Sequence, residues 1–323
     1  MRFRSFEKIP ATGHRSERTS PGGRWVALEK IHGAQLVLGC DGERVCFGKR
    51  KAWLDEDEPF FGWQVLRAEL RAAALALAQR WPGAQVTVYG ELHGGAYPHP
   101  AVAALPGLTA VQTGVWYGPD LAYTAFDILL AQGDEDEGEL LAHGEVEALA
   151  AEVGLRAPPV LRRGSYAEVA ATPLCFTTRL PQQRGLPALP ENWAEGLVLK
   201  PDRRTSPRDR SVFKRKIPAF HEGGYDESQP FGSAGAHPGD PRQTLGLEAL
   251  LGWSERLVNP PRLASARSKV GPCSGPLLDE VVLDVLLDLS AAFPAALAAL
   301  APTQEERLAE QIRARAAALL AAP

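Results

Sequence analysis

A stretch rich in glycine, proline and serine, residues 222–244, divides this chain into two parts whose patterning differs. Before it, short strand-like runs alternate with helical segments, which is typical of an α+β fold with largely antiparallel sheets. After it, apolar residues recur at helical spacing. A stretch of this composition is typical of a linker or long loop. We therefore predict a mixed domain over 1–222, a linker over 223–245 and a small all-helical domain over 246–323.

The individual elements follow from periodicity and turn residues. The predicted strands are 25–30, 35–40, 43–48, 86–91, 121–129, 195–200 and 211–216. The predicted helices are 64–80, 138–152, 245–257, 277–289 and 304–320. Asp41-Gly42 separates the second and third strands, and it predicts a two-residue hairpin turn because such turns need positive φ.

The charge of the chain is distributed unevenly. Its formal net charge is −4, which excludes a protein that coats nucleic acid by bulk positive charge. Any nucleic-acid site must then be a local basic patch, and residues 200–216 hold eight Lys or Arg with only two Asp. Acidic residues are concentrated in 55–58 and 134–139, and both runs are typical of solvated loops.

The sequence also bears on compartment and partners. The four cysteines, Cys40, Cys46, Cys175 and Cys273, form no C-x-x-C pair, which predicts reduced thiols rather than a zinc site. The first eight residues lack an apolar segment, so we expect no secretion signal. No run of about 18 apolar residues occurs, so we expect no membrane span. These features predict a cytoplasmic protein, and no obligate protein partner is implied.

Lys30 is the sharpest candidate for chemistry. It lies in the segment Glu29–Gly33, between two predicted strands. A K-x-x-G match is weak alone, because a surface lysine before a tight turn has the same pattern. A nucleophilic lysine must lose its proton, which requires cationic or apolar surroundings. Lys214 and Lys216 are candidates to supply them, because residues two apart on a strand point to the same side.

Other segments place carboxylates and an aromatic ring on predicted strands. Glu91 ends one strand, and Glu195 begins another. Phe126 lies within a third strand, where an aromatic residue is either part of the core or a platform for a base. The adjacent Asp127 either reaches the nucleophilic lysine or a metal, or anchors its strand.

In this order, the segments resemble the motifs of the covalent nucleotidyltransferases, the superfamily of polynucleotide ligases and mRNA capping enzymes. The residues within these motifs are most similar to those of the RNA ligase 2 family. The segments that carry the resemblance are 30–33 (KIHG), 47–50 (FGKR), 90–92 (GEL), 125–128 (AFDI), 195–201 (EGLVLKP) and 216–222 (KIPAFHE), with a fainter match over 256–269. They extend over nearly the whole chain. The five superfamily motifs, at 29–33, 89–92, 125–128, 195–201 and 213–216, are far more specific in one order than any one of them. The resemblance implies an ATP-grasp-like nucleotidyltransferase domain with antiparallel sheets.

The resemblance also implies catalytic roles by position. Lys30 is the implied nucleophile, which attacks the α-phosphorus of ATP and forms a lysyl–AMP phosphoramidate. Lys214 and Lys216 bind the α-phosphate and offset its developing charge. Glu195 acts near Lys30 or through a metal-bound water. His32 assists the transfer of AMP to RNA.

Further positions are implied to bind nucleotide or RNA. The implied ATP- and AMP-binding residues are Glu29, Arg50, Glu91, Phe126, Lys214 and Lys216. The implied RNA contacts are Gln35, Arg50, Arg262 and Lys269. Phe126 would stack on adenine and Glu91 would hold the ribose. Gln35 stands where the family tends to have Asn, which keeps an amide, and Leu36 stands where it tends to have Phe.

The implied activity is that of an ATP-dependent RNA ligase, which joins RNA 3′-OH and 5′-phosphate ends through lysyl–AMP and an RNA-adenylate, in RNA repair. The implied cofactors are ATP and Mg²⁺ or Mn²⁺, with the metal held by ATP oxygens, waters and carboxylates and only indirectly by Glu195. The implied partner is a nicked duplex or a broken RNA. A DNA ligase or a capping-type enzyme is a rival, as is a non-catalytic RNA- or nucleotide-binding protein on this fold. The residues within the motifs disfavour a DNA ligase or a capping-type enzyme. The presence of Lys30, Glu91 and Lys216 disfavours a non-catalytic protein.

Overall fold

The fold is described from a computed structural model, for residues 1–9, 22–56, 58–220, 245–271 and 273–321. The predicted linker over 223–245 lies outside the described residues except for Leu245. Within the described ranges, no helix has both the length and the apolar character needed to cross a membrane.

Ten strands and nine α-helices are described. The strands are β1 (Trp25–Glu29), β2 (Ala34–Cys40), β3 (Val45–Lys49), β4 (Ala52–Trp53), β5 (Gln85–Ala96), β6 (Gly118–Ala131), β7 (Glu139–Leu140), β8 (Val160–Gly164), β9 (Gly196–Pro201) and β10 (Phe213–Lys216). The helices are α1 (Arg67–Ala78), α2 (His143–Glu152), α3 (Tyr166–Ala170), α4 (Leu180–Gln183), α5 (Leu247–Leu257), α6 (Pro260–Val270), α7 (Ser274–Ala292), α8 (Pro294–Ala298) and α9 (Pro302–Ala321). Short 3₁₀ helices occupy Trp63–Leu66 and Pro218–Phe220.

The strands form two sheets. One has four strands in the order β10-β9-β1-β8, and the other has six in the order β4-β3-β2-β5-β6-β7. The strand pairings within both sheets are antiparallel. After the predicted linker, the described elements are five α-helices, α5 to α9. The predicted α+β fold with antiparallel sheets and a helical C-terminal region is confirmed.

The first hairpin forms one residue later than predicted. Cys40 pairs with Val45, so the turn is centred on Gly42 and Glu43 rather than on Asp41 and Gly42. The reason is the Asp41 carboxylate, which accepts backbone N–H groups from Glu43 and Arg44 at 3.3 and 2.8 Å. This side chain closes the turn, while Gly42 takes the positive φ of 97°.

Two other element predictions need correction. Residues 138–152 were predicted as one helix, but β7 takes Glu139 and Leu140, and the helix begins at His143. Gly138, at a φ of 82°, turns the chain so that β7 can pair with β6. Helix α6 was not predicted; Asn259 caps it by accepting the N–H of Arg262 at 3.0 Å, and two prolines begin it.

The chain separates into two compact units. The first contains Met1–Leu54, Ala73–Ala104 and Ala110–Gln229, and thus both sheets. The second contains Asp55–Ala72, Leu105–Thr109 and Pro230–Pro323, and thus the C-terminal helices. The domain boundaries inferred from composition remain predictions, and this grouping adds two earlier segments to the helical unit.

Two clusters of buried apolar residues in the sheet unit lie on the four-stranded sheet or beside the end of β1. Trp25 and Ala27 of β1 pack with Leu197 and Leu199 of β9 on one side. Near the end of β1, a second cluster contains Ile31, Val115, Tyr117, Leu180, Ile217 and Phe220. The second cluster surrounds the segment that follows β1, which holds Lys30.

Candidate active site

Lys30, Glu195 and Lys216 meet at one end of the four-stranded sheet. Lys30 follows β1, and its backbone N–H donates to the Gly196 carbonyl at 2.9 Å. Its Nζ lies 2.5 Å from Glu195 Oε2, and Lys216 Nζ lies 3.0 Å from Glu195 Oε1. The carboxylate is 1% exposed, whereas the two lysine side chains are 18% and 16% exposed. The carboxylate is therefore interior, and both amines remain within reach of a ligand.

Strand register explains why three lysines share this place. Lys214 pairs with Val198 and Lys216 pairs with Gly196, and Leu28 of β1 also pairs with Val198. Directly paired residues, and residues two apart on a strand, point to the same face of a sheet. Lys30, two residues after Leu28, therefore lies on the face that carries Lys214 and Lys216. The sequence analysis predicted that Lys214 and Lys216 lie near Lys30 from their alternation along one strand, without knowledge of the register.

Charges around the site perturb its ionisable groups. Burial alone would raise the pKa of Glu195, but the charges of Lys30, His32 and Lys216 outweigh it and hold that pKa below its ordinary value. Burial lowers the pKa of Lys214, and the positive charges of Lys30 and Lys216 lower it further. A buried carboxylate shared by several amines leaves a net positive site, which suits an anionic ligand such as a phosphate.

His32 belongs to the same cluster. Its Nδ1 lies 3.5 Å from Glu195 Oε2, and its ring makes an edge-to-face contact with Phe220 at a centroid distance of 5.2 Å. The backbone N–H of His32 donates to the Tyr117 hydroxyl at 2.9 Å. The structure thus brings His32 beside Glu195, where proton transfer between them is possible.

Glu91 approaches the site from the six-stranded sheet. It lies on β5 and pairs with Gln35 of β2 and Thr124 of β6. Burial raises the pKa of its carboxyl to about 7, with Lys30 and a backbone hydrogen bond from Gly33 acting in the opposite direction. Any side chain at Gly33 would meet the Leu92 carbonyl, because an added Cβ would stand 2.1 Å from that oxygen. The glycine therefore allows the Lys30 segment to approach β5.

Glu29 lies on the other face of β1. Its carboxylate accepts the hydroxyl of Thr178, and the backbone N–H of Arg179 at 2.9 Å. The residue is 1% exposed, and burial raises its pKa to about 7 against the effect of those hydrogen bonds. Residues adjacent on a strand point to opposite faces, so this carboxylate is directed away from Lys30. Its contacts anchor the 178–179 segment, and the predicted role in ATP binding gains no support from them.

Phe126 contacts the segment at residues 1–9. Its ring and that of Phe6 are 4.9 Å apart in an edge-to-face arrangement, and Phe126 is half-buried against a cluster that includes Tyr89 and Leu129. The guanidinium of Arg210 lies 3.9 Å from the Phe6 ring centroid. Sequence reasoning did not find Phe6, because a lone aromatic near a chain start carries no pattern. Stacking of Phe126 on a base remains a prediction.

Asp127 anchors its strand. Its Oδ1 accepts from Lys200 Nζ at 2.6 Å, and the same amine donates to the Phe126 carbonyl at 2.8 Å. Both side chains are almost fully buried. Of the two interpretations left open by the sequence, these contacts favour anchoring of the strand, because Asp127 meets Lys200 of β9 rather than the candidate nucleophile Lys30.

Two further predicted contacts lie on or beside the six-stranded sheet. Gln35 is on β2 opposite Glu91, and its Nε2 is a buried donor without a hydrogen-bond partner. Arg50 is exposed at the turn after β3. Register brings Gln35 close to Glu91, whereas an RNA contact by Arg50 remains a prediction.

Half of the eight Lys and Arg residues at 200–216 are paired with acids, namely Lys200, Arg204, Arg208 and Lys216. Arg204 lies 2.6 Å from Glu145 and 3.3 Å from Glu139, and Arg208 pairs with Glu137. The run 134–139 is therefore more than a solvated loop, because Asp134 and Asp136 within it also bind Arg2 and Arg4. The Gly133 carbonyl, just before the run, accepts a second hydrogen bond from Arg4. The positive charge of the predicted basic patch is therefore partly offset, while Arg203 is exposed and Lys214 lies beside Lys30 and Lys216.

Arg262 and Lys269 lie in the helical unit. Arg262 Nη2 is 2.5 Å from Asp288 Oδ2, with both side chains 3% exposed, and its Nε donates to the Leu257 carbonyl at 2.9 Å. This guanidinium is interior, so the predicted RNA contact of Arg262 has no access to solvent. Lys269 is more exposed but pairs with Glu280 and Asp284 at 2.8 and 2.7 Å. Both residues serve contacts within the helical unit.

Among the described residues, no group of three or more His, Cys, Asp or Glu is arranged to hold a metal ion. The carboxylates nearest to Lys30 are those of Glu195 and Glu91, which offer hard oxygen ligands of the kind that Mg²⁺ and Mn²⁺ accept. A divalent ion at this place would take its other ligands from a phosphate substrate and water.

Comparison with known proteins identifies the relatives of this chain. The RNA ligase family model matches residues 23–216, which span both sheets and the Lys30 site. The mitochondrial RNA-editing ligase 2 of Trypanosoma brucei brucei is 33% identical over 233 residues, covering 64% of this chain and 56% of that protein. The mitochondrial RNA-editing ligase 1 is 34% identical over 214 residues, covering 57% and 46%. The chain thus spans about half the length of these curated relatives.

Solved structures with a similar chain trace include mutants of an RNA ligase from Naegleria gruberi with ATP and Mn. One has a TM-score of 0.44 and 16% sequence identity, covering 67% of this chain and 57% of that chain. Another has a TM-score of 0.42 and the same identity, covering 68% and 58%.

Proposed function

Because this chain belongs to the RNA ligase family, as its likeness to RNA ligase 2 members predicted, we propose that it is an ATP-dependent RNA ligase that carries AMP on Lys30. The observation that carries the proposal is the Lys30–Glu195–Lys216 cluster. A partly exposed amine sits 2.5 Å from a buried carboxylate, with a second amine 3.0 Å from the other carboxylate oxygen. This arrangement holds one nucleophile and one anion-binding group at the same point.

In the proposed first step, the Lys30 amine attacks the α-phosphorus of ATP, a P–N bond forms, the P–O bond to the β-phosphate breaks, and diphosphate leaves. Glu195 is the nearest carboxylate and accepts the proton released from the amine. Lys214 and Lys216 stabilise the negative charge that develops on the α-phosphate oxygens. A divalent ion held by phosphate oxygens and the nearby carboxylates would supply further neutralisation of the triphosphate charge.

In the proposed later steps, AMP passes from Lys30 to an RNA 5′-phosphate, with His32 placed to assist beside Glu195. The RNA 3′-OH then attacks the 5′-phosphate and releases AMP. We propose nicked or broken RNA as the substrate and RNA repair as the setting. The curated relatives are named as RNA-editing ligases, which is a second setting for the same chemistry.

The direct test is incubation with α-labelled ATP and Mg²⁺, followed by peptide mapping and addition of RNA with a 5′-phosphate. One AMP on Lys30, transferred to RNA in a second incubation, is the expected result. Lys30→Ala should abolish the label, and Lys30→Arg should not restore it, because guanidinium stays protonated. Lys51→Ala, an exposed lysine on the turn after β3, is the matched control and should label normally. Labelling that persists in Lys30→Ala would remove the proposal.

The polymer specificity is tested with nicked duplexes in which deoxyribose replaces ribose on one side of the break at a time. We expect a requirement for ribose on the 3′-OH side and tolerance on the 5′-phosphate side. The attacking 3′-OH must align opposite AMP, and sugar pucker changes its position. Equal sealing of an all-DNA nick would overturn the assignment of RNA as the substrate and leave the Lys30 step intact.

A further inference from the structure

Tyr117 contacts the backbone of the segment that holds the nucleophile. Its hydroxyl accepts the His32 N–H at 2.9 Å, and its ring packs in the cluster that contains Ile31 and Ile217. The residue is 0% exposed, and burial, with the charges of Glu29, Glu195 and Glu91, raises the pKa of the phenol well above its ordinary value. The group therefore remains a neutral hydroxyl against residues 31 and 32.

A buried histidine fixes the other side of the Tyr117 ring. His93 packs edge-to-face on Tyr117 at a centroid distance of 4.9 Å, and its Nε2 lies 2.8 Å from Thr124 Oγ1. Burial lowers the pKa of His93 to about 3, with the charges of Arg184 and Arg156 acting in the same direction. The ring is neutral across the physiological range, so it serves packing here rather than proton transfer.

The segment that leads to Tyr117 is hydrogen-bonded to β5, the strand that carries His93. Gln112, which is fully buried, accepts the Gly94 N–H at 3.0 Å and donates to the Val115 carbonyl at 3.2 Å. Val111 N–H also donates to the Gly94 carbonyl at 2.9 Å. Residues 111–117 are thus tied to β5 at two points before the chain reaches Tyr117.

Strand β5 also carries Glu91, two residues before His93. Residues two apart on a strand point to the same face, so His93 and Glu91 share a face of the six-stranded sheet. The contacts then run from β5 through His93 to Tyr117, and from Tyr117 to His32. They connect the strand of Glu91 to the segment of Lys30 through ring packing and one hydrogen bond to the His32 backbone.

We propose that Tyr117 is a positioning residue, whose hydroxyl sets the place of the Lys30–Gly33 backbone relative to the strand that carries Glu91. This inference rests on the proposed ligase function and assigns a role that no motif indicates. The bond matters because Lys30 N–H is paired with the Gly196 carbonyl of β9, whereas His32, two residues on, is held through its N–H by the Tyr117 hydroxyl. A displacement of about 1 Å at a reacting group can lower a rate roughly a hundredfold.

The experiment uses Tyr117→Phe, which keeps the ring and removes only the hydroxyl. Single-turnover adenylylation at saturating ATP should slow by roughly tenfold to a hundredfold, while the dissociation constant for ATP stays unchanged. The matched control is Tyr123→Phe, whose hydroxyl is also buried but lies 3.3 Å from two carbonyls of the six-stranded sheet. This control should leave the rate constant unchanged.

A structural readout separates this inference from the ligase proposal. Amide hydrogen exchange at His32 should be slow in the unmodified protein and faster in Tyr117→Phe, whether or not the protein labels with AMP. Labelling that survives Lys30→Ala would remove the ligase proposal while leaving that exchange result in place. The inference is overturned if the His32 amide exchanges in the unmodified protein as fast as exposed amides. It is also overturned if Tyr117→Phe matches Tyr123→Phe in both rate and exchange.

A double-mutant cycle sharpens the assignment for the transfer step. His32→Ala keeps the backbone N–H that Tyr117 binds but removes the ring beside Glu195. If Tyr117 acts on transfer by placing that ring, Tyr117→Phe should slow AMP transfer much less in the His32→Ala background than alone. Fully additive effects would contradict the connection through His32.

Discussion

Two buried ion pairs, Lys30–Glu195 in the sheet unit and Arg262–Asp288 in the helical unit, have the same 2.5 Å separation but opposite character. Around Glu195 the cations dominate and hold its pKa below the ordinary value. At Asp288, burial dominates over Arg262 and Arg67 and raises the pKa. Around Glu195 the amines are partly exposed, whereas the guanidinium of Arg262 is interior. A short ion pair is thus no sign of function by itself. The Lys30–Glu195 site differs because its amines are accessible to a ligand and because it carries excess positive charge.

Removing one partner of the interior pair should have the largest effect on stability. Arg262→Ala leaves Asp288 buried with only Arg67 at 3.4 Å, so we expect the free energy of unfolding to fall by about 3–5 kcal/mol. The double variant Arg262→Met, Asp288→Leu should recover most of that loss, because both fully interior charges are removed and the remaining Arg67 side chain is 21% exposed. Chemical denaturation of both variants measures the effect, and a loss below about 1 kcal/mol in the single variant would place the pair among surface bridges.

Loss of a cation at the open site should instead change the rate. Lys216→Ala should lower the adenylylation rate constant by roughly a hundredfold to a thousandfold, since it removes a donor aimed at developing charge. Its unfolding free energy should change much less than that of Arg262→Ala. Single-turnover labelling and denaturation, performed on the same preparation, give both numbers. If Lys216→Ala lowered the free energy of unfolding and left the adenylylation rate constant unchanged, the cations at Glu195 would have the same structural role as the Arg262–Asp288 pair.

Glu29 predicts a pH dependence of stability in the sheet unit. Its folded pKa of about 7 lies above the ordinary 4.5, so the folded state holds a proton that the unfolded state releases. The free energy of unfolding should therefore fall as pH rises from about 4.5 to 7, by on the order of 3 kcal/mol, and change no further above that range. Glu29→Gln should remove its own part of this slope and leave the part due to Glu91, whose pKa is also raised to about 7. The difference between the two proteins across that range isolates Glu29, and parallel curves would contradict the raised pKa.

The smallest effect is expected at the surface pair of Arg204 and Glu145. Both side chains are more than a third exposed at a separation of 2.6 Å. Arg204→Ala should lower the free energy of unfolding by about 1 kcal/mol at most, and less at high salt. Denaturation at low and high ionic strength checks this, and a loss as large as that of Arg262→Ala would erase the contrast between surface and interior pairs.

The parts of the site that the sequence predicted are those carried by strand motifs. Lys30, Glu195 and Lys216 lie in short segments whose residue types and order are specific, and strand register brings them together. Residues 200–216 looked like a basic patch because sequence spacing cannot show that Arg204 and Arg208 meet acids some 60 to 70 positions earlier. Arg262 appeared free to bind RNA for the same reason, since its partner lies 26 residues further along.

The contacts of Tyr117 and His93 could not be predicted from the sequence, for a different physical reason. A tyrosine in a loop and a histidine on a strand are ordinary, and nothing in their spacing shows which backbone amide the hydroxyl meets. The same holds for Glu29, whose place beside the nucleophile suggested ATP, although alternation along β1 turns its carboxylate to the opposite face. The overall fold was predictable because periodicity and turns are local, whereas these contacts are not.

The close approach at Gly33 also limits which substitutions this chain can accept. An added Cβ at Gly33 would stand 2.1 Å from the Leu92 carbonyl, and one at Gly90 would stand 2.2 Å from the Tyr123 ring. Neither neighbour can yield easily, because one is backbone within a sheet and the other is a buried ring. In a library that randomises each position and selects for end-joining, residues 33 and 90 should return glycine alone. The genetic signature of this site would then include two positions that have no functional group.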